Sequence, residues 1–425
     1  MHDAPEADDP VLLTAAAVCD PWGHASAPGA CVARGGAVAA WGERGELERA
    51  WAGARRADLG PVVALPGMVN AHAHLDLAGV GPRPYNADAG FLGWVRSEVL
   101  PARRASDQAA TARVVAAAAA ASLAAGVEAV GDVAGGPGAR AALAASGLRG
   151  VSFEELFGLR LAAVGALVTR AAEVAAEPVV NGVTPGLQPH APYSVSAAGY
   201  GACVATGLRL STHLAELAEE AELTRAATGP MREMLGGAGL WGPELDAVYG
   251  GGLSPVAWLK PSLEAAAGRF VVAHANHAGD DDVETLAATR TSVAYCPVAS
   301  AYFGHAGHRY REMLDAGVNV ALGTDSILCQ PPGERSPHGV LPQVRFLFRR
   351  DGTDPGTLVR MACANGFAAL GLPVRTERLA LVPVDLAGSG GSGVSGGSGG
   401  FRGGNPLWQA LASPAGPRIV AVAGL

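Results

Sequence analysis

Two histidines one residue apart, His72 and His74, end an apolar run in LPGMVNAHAHLDL. Side chains alternate along a strand, so positions i and i+2 share a face and both imidazoles can reach one ion. Three further segments place a chemistry-bearing residue after an apolar run. RLSTHLAE carries His213 and, three residues on, Glu216; FVVAHANH carries His274, with His277 just beyond; VNVALGTDS carries Asp325. The odd spacing of His213 and Glu216 separates them on a regular strand, so the chain must leave the strand after His213 if both serve one site. A buried, unpaired Asp325 would be costly.

Each of these residues also has an inert reading. An isolated HxH is more often core or surface histidine than a ligand pair, His213 or His274 could be hydrogen-bonded core residues, and Asp325 could cap the next helix. Their common placement at the ends of apolar runs favours the metal reading. His72, His74, His213 and Asp325 make an all-N/O donor set, which suits one zinc or ferrous ion with positions left for water and substrate. Calcium would call for more oxygens. Binuclear hydrolases often add a carbamylated lysine on the fourth strand. Lys260, the only lysine among thirty arginines, precedes the sixth strand, so a second ion of that kind is excluded.

Strands must hold these residues. Eight apolar runs alternate with helix-favouring stretches, near Val62–Val69, Val127–Val133, Leu148–Phe153, Val183–Gln188, Leu208–His213, Phe270–His274, Thr291–Cys296 and Val318–Gly323. Such alternation reads as βαβ units and a parallel sheet. Eight repeats suggest an α/β (β/α)8 TIM barrel, whose catalytic groups stand at the C-terminal strand ends. A doubly wound open sheet would give similar local signals. The Ala-rich helical run before Gly126 should close on that glycine in a left-handed cap.

Both chain ends read as β-structure. VLLTAAAVCD and ACVARGGAVAAWGE form short strands joined by Gly/Pro turns, with no helical period until Arg44, and RIVAVAGL reads as a closing strand. We expect residues 1–65 and 375–425 to build a small β-sandwich, with the barrel inserted at 66–374. A Gly/Ser tract at 388–400 reads as flexible linker.

Length, 425 residues, and 49% hydrophobic content allow a large core and a deep site. The net charge of −8 argues against a nucleic-acid surface, which needs clustered Lys and Arg, and favours a small-molecule partner. Six cysteines without CxxC spacing suggest neither a disulfide framework nor a thiolate zinc site, and fit a reducing compartment. The acidic start lacks a signal pattern, and the Ala-rich run is too short to span a bilayer. The expected location is cytoplasmic, with no membrane partner.

PGMVNAHAHLDL, PHAPYSVS, HLAE, VAHANH, YCPVAS and VNVALGTDS stand in the order found in the amidohydrolase superfamily, and the chain resembles its deaminase and chlorohydrolase branch over nearly its whole length. FLGWVRSEVLPARR and YFGHAGHRYREMLDAGVNVALGTDS are similar to the aminodeoxyfutalosine deaminase-like proteins of the futalosine route to menaquinone. The resemblance implies that His72, His74, His213 and Asp325 bind one divalent metal ion, that Glu216 shuttles a proton to the substrate, and that His274 polarises the attacking water. It implies that Asp325 takes the proton of that water and that Trp94 and His190 contact substrate. A half-buried aromatic and a loop-packing histidine are their inert readings.

The implied activity is hydrolytic deamination of an aminated purine-like nucleoside, 6-amino-6-deoxyfutalosine. A deaminase or chlorohydrolase for another heteroaromatic ring, of guanine, S-adenosylhomocysteine or triazine type, is the alternative within this chemistry. A non-catalytic barrel kept for binding is the alternative outside it. Val298 stands where relatives carry a basic residue, SILCQPPGE replaces their SLASN-like loop, and LALVPVDLAG is a reduced form of their C-terminal strand motif. The exposed faces of such enzymes often support a homodimer. His277, His305 and His308 receive no role.

Overall fold

The computed structural model describes residues 9–136, 138–385 and 405–424, so the Gly/Ser tract expected at 388–400 lies outside the described residues. The N-terminal apolar runs become β1 (Val11–Ala15), β2 (Ala17–Cys19), β3 (Ala25–Ser26), β4 (Gly29–Arg34) and β5 (Ala37–Glu43). A helix then starts at Arg44, where the helical period begins, and β6 (Arg55–Asp58) follows.

The run Val62–Val69, expected as one barrel strand, is two. β7 (Val62–Pro66) stays with the terminal strands, and β8 (Met68–Ala73) opens the barrel. At the break the Gly67 N–H donates to the Arg378 carbonyl at 2.9 Å and the Met68 N–H to the Gly126 carbonyl at 2.9 Å. The backbone therefore changes sheets within one residue. Hydrophobicity alone does not record which sheet an amide joins.

Seven more parallel strands complete the barrel: β9 (Val127–Ala134), β10 (Arg149–Leu156), β11 (Val183–Pro189), β12 (Arg209–Leu214), β13 (Phe270–His274), β14 (Ser292–Tyr295) and β15 (Val320–Leu322). They pair in sequence order from β8 to β15. Closure is made by polar groups. Ala73 bridges Asp325, while the Asn70 amide donates to the Thr324 hydroxyl at 2.7 Å and accepts from the Thr324 N–H at 3.0 Å. A pair of buried, mutually satisfied partners pins the first strand to the last.

The Ala-rich helix spans Gln108–Ala124 and turns into β9 through Gly126 at φ +82°, as the composition predicts. On the interior, Phe367 and Leu370 of the helix Ala364–Leu370 pack against Val69, Ala129, Val151 and Phe153. This plug fills the N-terminal half of the barrel with hydrocarbon. The polar C-terminal strand ends are left as the place for chemistry.

The chain closes with β16 (Arg378–Pro383) and β17 (Arg418–Ala421). The order β17-β16-β7-β2-β3 forms one terminal sheet and β5-β4-β1-β6 the other. Leu13, Val18, Cys31, Ala64, Leu379 and Leu381 share one core between them, so both chain ends build the expected two-sheet unit. No helix among the described residues is long and apolar enough to cross a membrane.

Candidate metal centre and active site

His72 lies near the end of β8 and His74 just past it, with ring centroids 5.1 Å apart. His213 comes from the end of β12 and Asp325 from the residues after β15. Nε2 of His74 is 3.3 Å from Nε2 of His213 and 3.5 Å from Oδ1 of Asp325, which is 3.7 Å from Nε2 of His72. Donors about 2.05 Å from a tetrahedral zinc lie about 3.3 Å from one another. The spacing is thus that of donors sharing one small ion. The buried Nε2 of His72 has no hydrogen-bond partner, which is the state of a nitrogen meant for a metal.

Second contacts select the ligating atoms. Nδ1 of His213 faces the His190 carbonyl at 3.1 Å and the Gln188 amide at 3.2 Å. The carbonyl can only accept, so a ring proton on Nδ1 satisfies it once the Gln188 amide turns its otherwise unpartnered oxygen to the ring, and Nε2 is then free to bind. A Cβ on Gly323 would lie 2.8 Å from the His72 carbonyl oxygen and 2.9 Å from Sγ of Cys296. Only glycine lets the Asp325 loop come this close to β8.

Glu216 and His274 face each other at 3.5 Å between Oε1 and Nε2. The chain leaves β12 at Ala215, at φ +49°, which resolves the odd spacing: the left-handed residue turns Glu216 back to the side of His213. His274 and Ala275 are left-handed too, at +73° and +55°. The two turns are stitched together. The His277 N–H donates to the Ala215 carbonyl at 2.9 Å, and the Asn276 amide to the Glu216 carbonyl at 3.2 Å. Strained backbone of this kind persists only where surroundings over-determine it.

Electrostatics separates the two carboxylates. Burial, then the proximity of the Asp325 and Glu220 carboxylates, pushes the Glu216 carboxyl well above its usual range. Burial would raise Asp325 as well, but its contact with His72 and the imidazoles of His274 and His74 outweigh this and hold it ionised. Burial pushes His74 and His274 down to about 3 and His213 well below its usual value. The rings are therefore neutral, the state that metal binding would require of an imidazole. A carboxyl raised by burial beside one held low by its imidazole neighbours is the division of labour that acid–base chemistry requires.

The two other expected residues stand differently. The His190 ring lies 4.9 Å from the His213 ring, so it adjoins the cluster, with Nδ1 2.7 Å from Oγ of Ser194. Trp94 packs among Phe91, Tyr302 and Phe303, one layer out, in a cluster that includes Cys329. Sγ of Cys329 in turn lies 3.8 Å from Oδ2 of Asp325.

Sequence reasoning missed a half-buried charged group beside His74. Arg103 pairs with Glu155 and, at 3.4 Å, with Asp76, and its Nη2 lies 3.3 Å from Nδ1 of His74. Asp132, at the end of β9, accepts from the Leu75 N–H at 3.1 Å, and burial, followed by the charge of Asp76, lifts it to about 7. Asp132 and Glu155 carry the signal that revealed Asp325, a carboxylate closing an apolar run. Arg103 comes from a helix and carries none.

Comparison with known proteins agrees with this geometry. Residues 63–381 match the Amidohydrolase family. The chain is 31% identical to the aminodeoxyfutalosine deaminase of Deinococcus radiodurans over 85% of each protein. Among solved structures it resembles the aminofutalosine deaminase of Helicobacter pylori in complex with methylthio-coformycin (TM-score 0.74, 18% identity, 97% and 98% of the two chains). It also resembles the atrazine chlorohydrolase of Arthrobacter aurescens complexed with zinc (TM-score 0.69, 19% identity, 97% and 94%). The chain belongs to the amidohydrolase family, within its deaminase-type hydrolases of carbon–nitrogen bonds in cyclic amidines.

Proposed function

We propose that this protein is a metal-dependent hydrolytic deaminase of an aminated purine-like nucleoside, with 6-amino-6-deoxyfutalosine as its substrate and a place in the futalosine route to menaquinone. The observation that carries the reaction type is Glu216, its carboxyl raised by burial, set 3.5 Å from His274 beside a cluster of N/O donors. The substrate follows the 31% identical Deinococcus enzyme and the FLGW and YFGHAGH segments.

His72, His74, His213 and Asp325 would hold one divalent ion, zinc by the donor set and spacing. When bound, the ion supplies water made acidic enough to react at neutral pH. Asp325, ionised and buried, takes the proton of that water. His274 orients the water toward the amine-bearing ring carbon and stabilises the charge that develops. Glu216 donates its proton to the adjacent ring nitrogen and then helps ammonia leave. His190 and Trp94 flank the substrate.

Val298 and the SILCQPPGE loop favour a second reading, a deaminase or chlorohydrolase of another heteroaromatic ring. Ammonia release from 6-amino-6-deoxyfutalosine, adenosine, S-adenosylhomocysteine and guanine by the zinc-loaded enzyme decides between them. The first compound is expected to be fastest by kcat/KM. Equal or lower turnover than with the other three overturns the substrate assignment.

A further inference from the structure

His308 follows the β14 strand and takes no part in the chemistry above, yet it touches the backbone of a residue that does. Its Nε2 lies 2.7 Å from the carbonyl oxygen of His274. A carbonyl only accepts, so this nitrogen carries the proton and donates it. The ring lies almost flat on Tyr295, with centroids 3.7 Å apart at 16°, and the Tyr295 hydroxyl accepts from Arg350 at 3.1 Å. Nδ1 of His308 is buried without a partner. The bond to His274 is therefore the polar contact that the ring makes, and the stack below sets its height.

The acceptor is not ordinary backbone. His274 and Ala275 are consecutive non-glycine residues in the left-handed region, a conformation that needs outside contacts to persist. If the His274 backbone relaxed, its imidazole would swing with it, and Nε2 would leave its 3.5 Å position opposite Glu216. Misplacement of a catalytic group by about 1 Å can cost on the order of 10²-fold in rate.

We propose that His308 is a positioning residue for His274: its N–H holds the His274 carbonyl in the left-handed turn and so aims the His274 imidazole at the water opposite Glu216. This rests on the reading of His274 as the residue that orients the water.

The test compares His308→Phe, which keeps the stack on Tyr295 and loses the N–H, with His308→Gln, whose amide nitrogen reaches the same position. For the zinc-loaded enzymes kcat, KM, metal content and melting temperature are measured. His308→Phe is expected to lose roughly 10- to 100-fold in kcat, with KM within about threefold and one ion per chain retained. His308→Gln is expected to recover most of that loss. His308→Ala is a second donorless variant with no bulk to clash, and the same fall in kcat is expected. Full kcat in His308→Phe, or equal loss in the Phe and Gln variants at unchanged melting temperature, overturns the proposal while leaving the deaminase assignment standing. Absence of ammonia release from every substrate by the wild-type, zinc-loaded enzyme instead removes the functional reading beneath it.

Discussion

Replacing Glu216 by glutamine separates metal binding from proton transfer. The side chain is only 5% exposed, and glutamine matches it in size, so the pocket keeps its packing. The Glu216 N–H donates to Glu220 at 3.0 Å through the backbone, which the substitution leaves alone. Glu216 belongs to none of the three histidine-containing groups that could hold an ion, so metal content should be unchanged. What disappears is one transferable proton. Acid–base catalysis contributes about 10²–10⁴-fold, which at about 1.36 kcal/mol per decade is about 2.7–5.5 kcal/mol of transition-state stabilisation. The predicted variant has kcat reduced by that factor and KM within a few-fold. Its pH profile changes too. Burial, Asp325 and Glu220 raise the wild-type carboxyl, and kcat should fall as pH rises through its pKa. The glutamine variant should lack that limb. Steady-state ammonia release across pH, with metal content on the same samples, is the assay. Retention of a third or more of wild-type kcat, or metal loss in step with activity, would refute the reasoning.

His213→Ala removes a donor 3.3 Å from His74, so metal analysis should show most of the ion lost and activity lost with it; a fully loaded variant would contradict the ligand set. Stripping the wild-type protein with chelator should lower its melting temperature, because an ion bound at 100-fold over its Kd adds about 2.7 kcal/mol; identical melting with and without zinc counts against a built site. Gly323→Ala forces a Cβ to within 2.8 Å of the His72 carbonyl, which should cost about 1–3 kcal/mol in denaturant unfolding and weaken metal retention. Burial lifts the Glu220 carboxyl to about 8, although the backbone amides of Ala215, Glu216 and Leu217 oppose it. The folded state then holds this proton more tightly than the unfolded chain. The contribution is complete below the ordinary value of 4.5 and is lost as pH rises to 8. Glu220→Gln should flatten the dependence of melting temperature on pH across that window, and an unchanged slope would argue against it.

The barrel was legible because a parallel strand buried on both faces reads as a continuous apolar run, and eight such runs recur between helical stretches. The residues of the candidate site were legible because His213, His274 and Asp325 each interrupt hydrocarbon at a strand end. The break between Pro66 and Met68 was not, since a change of hydrogen-bond partner leaves no trace in hydrophobicity. Nor was the geometry joining His213 to Glu216. It depends on Ala215 adopting a left-handed conformation that alanine rarely takes, imposed by contacts from the neighbouring β13 turn. Arg103 and His308 share that invisibility. Each acts on a residue 29 or 34 positions away, and nothing local to either marks the partner.

On the proposed reading, one ion in the His72, His74, His213 and Asp325 cluster enables deamination. Its most direct test is ammonia release from 6-amino-6-deoxyfutalosine by chelator-stripped protein titrated with zinc. The expected result is no turnover without metal and a linear rise that breaks at one equivalent per chain. Turnover that persists in stripped, metal-free protein, or that never appears at full zinc occupancy, would contradict it.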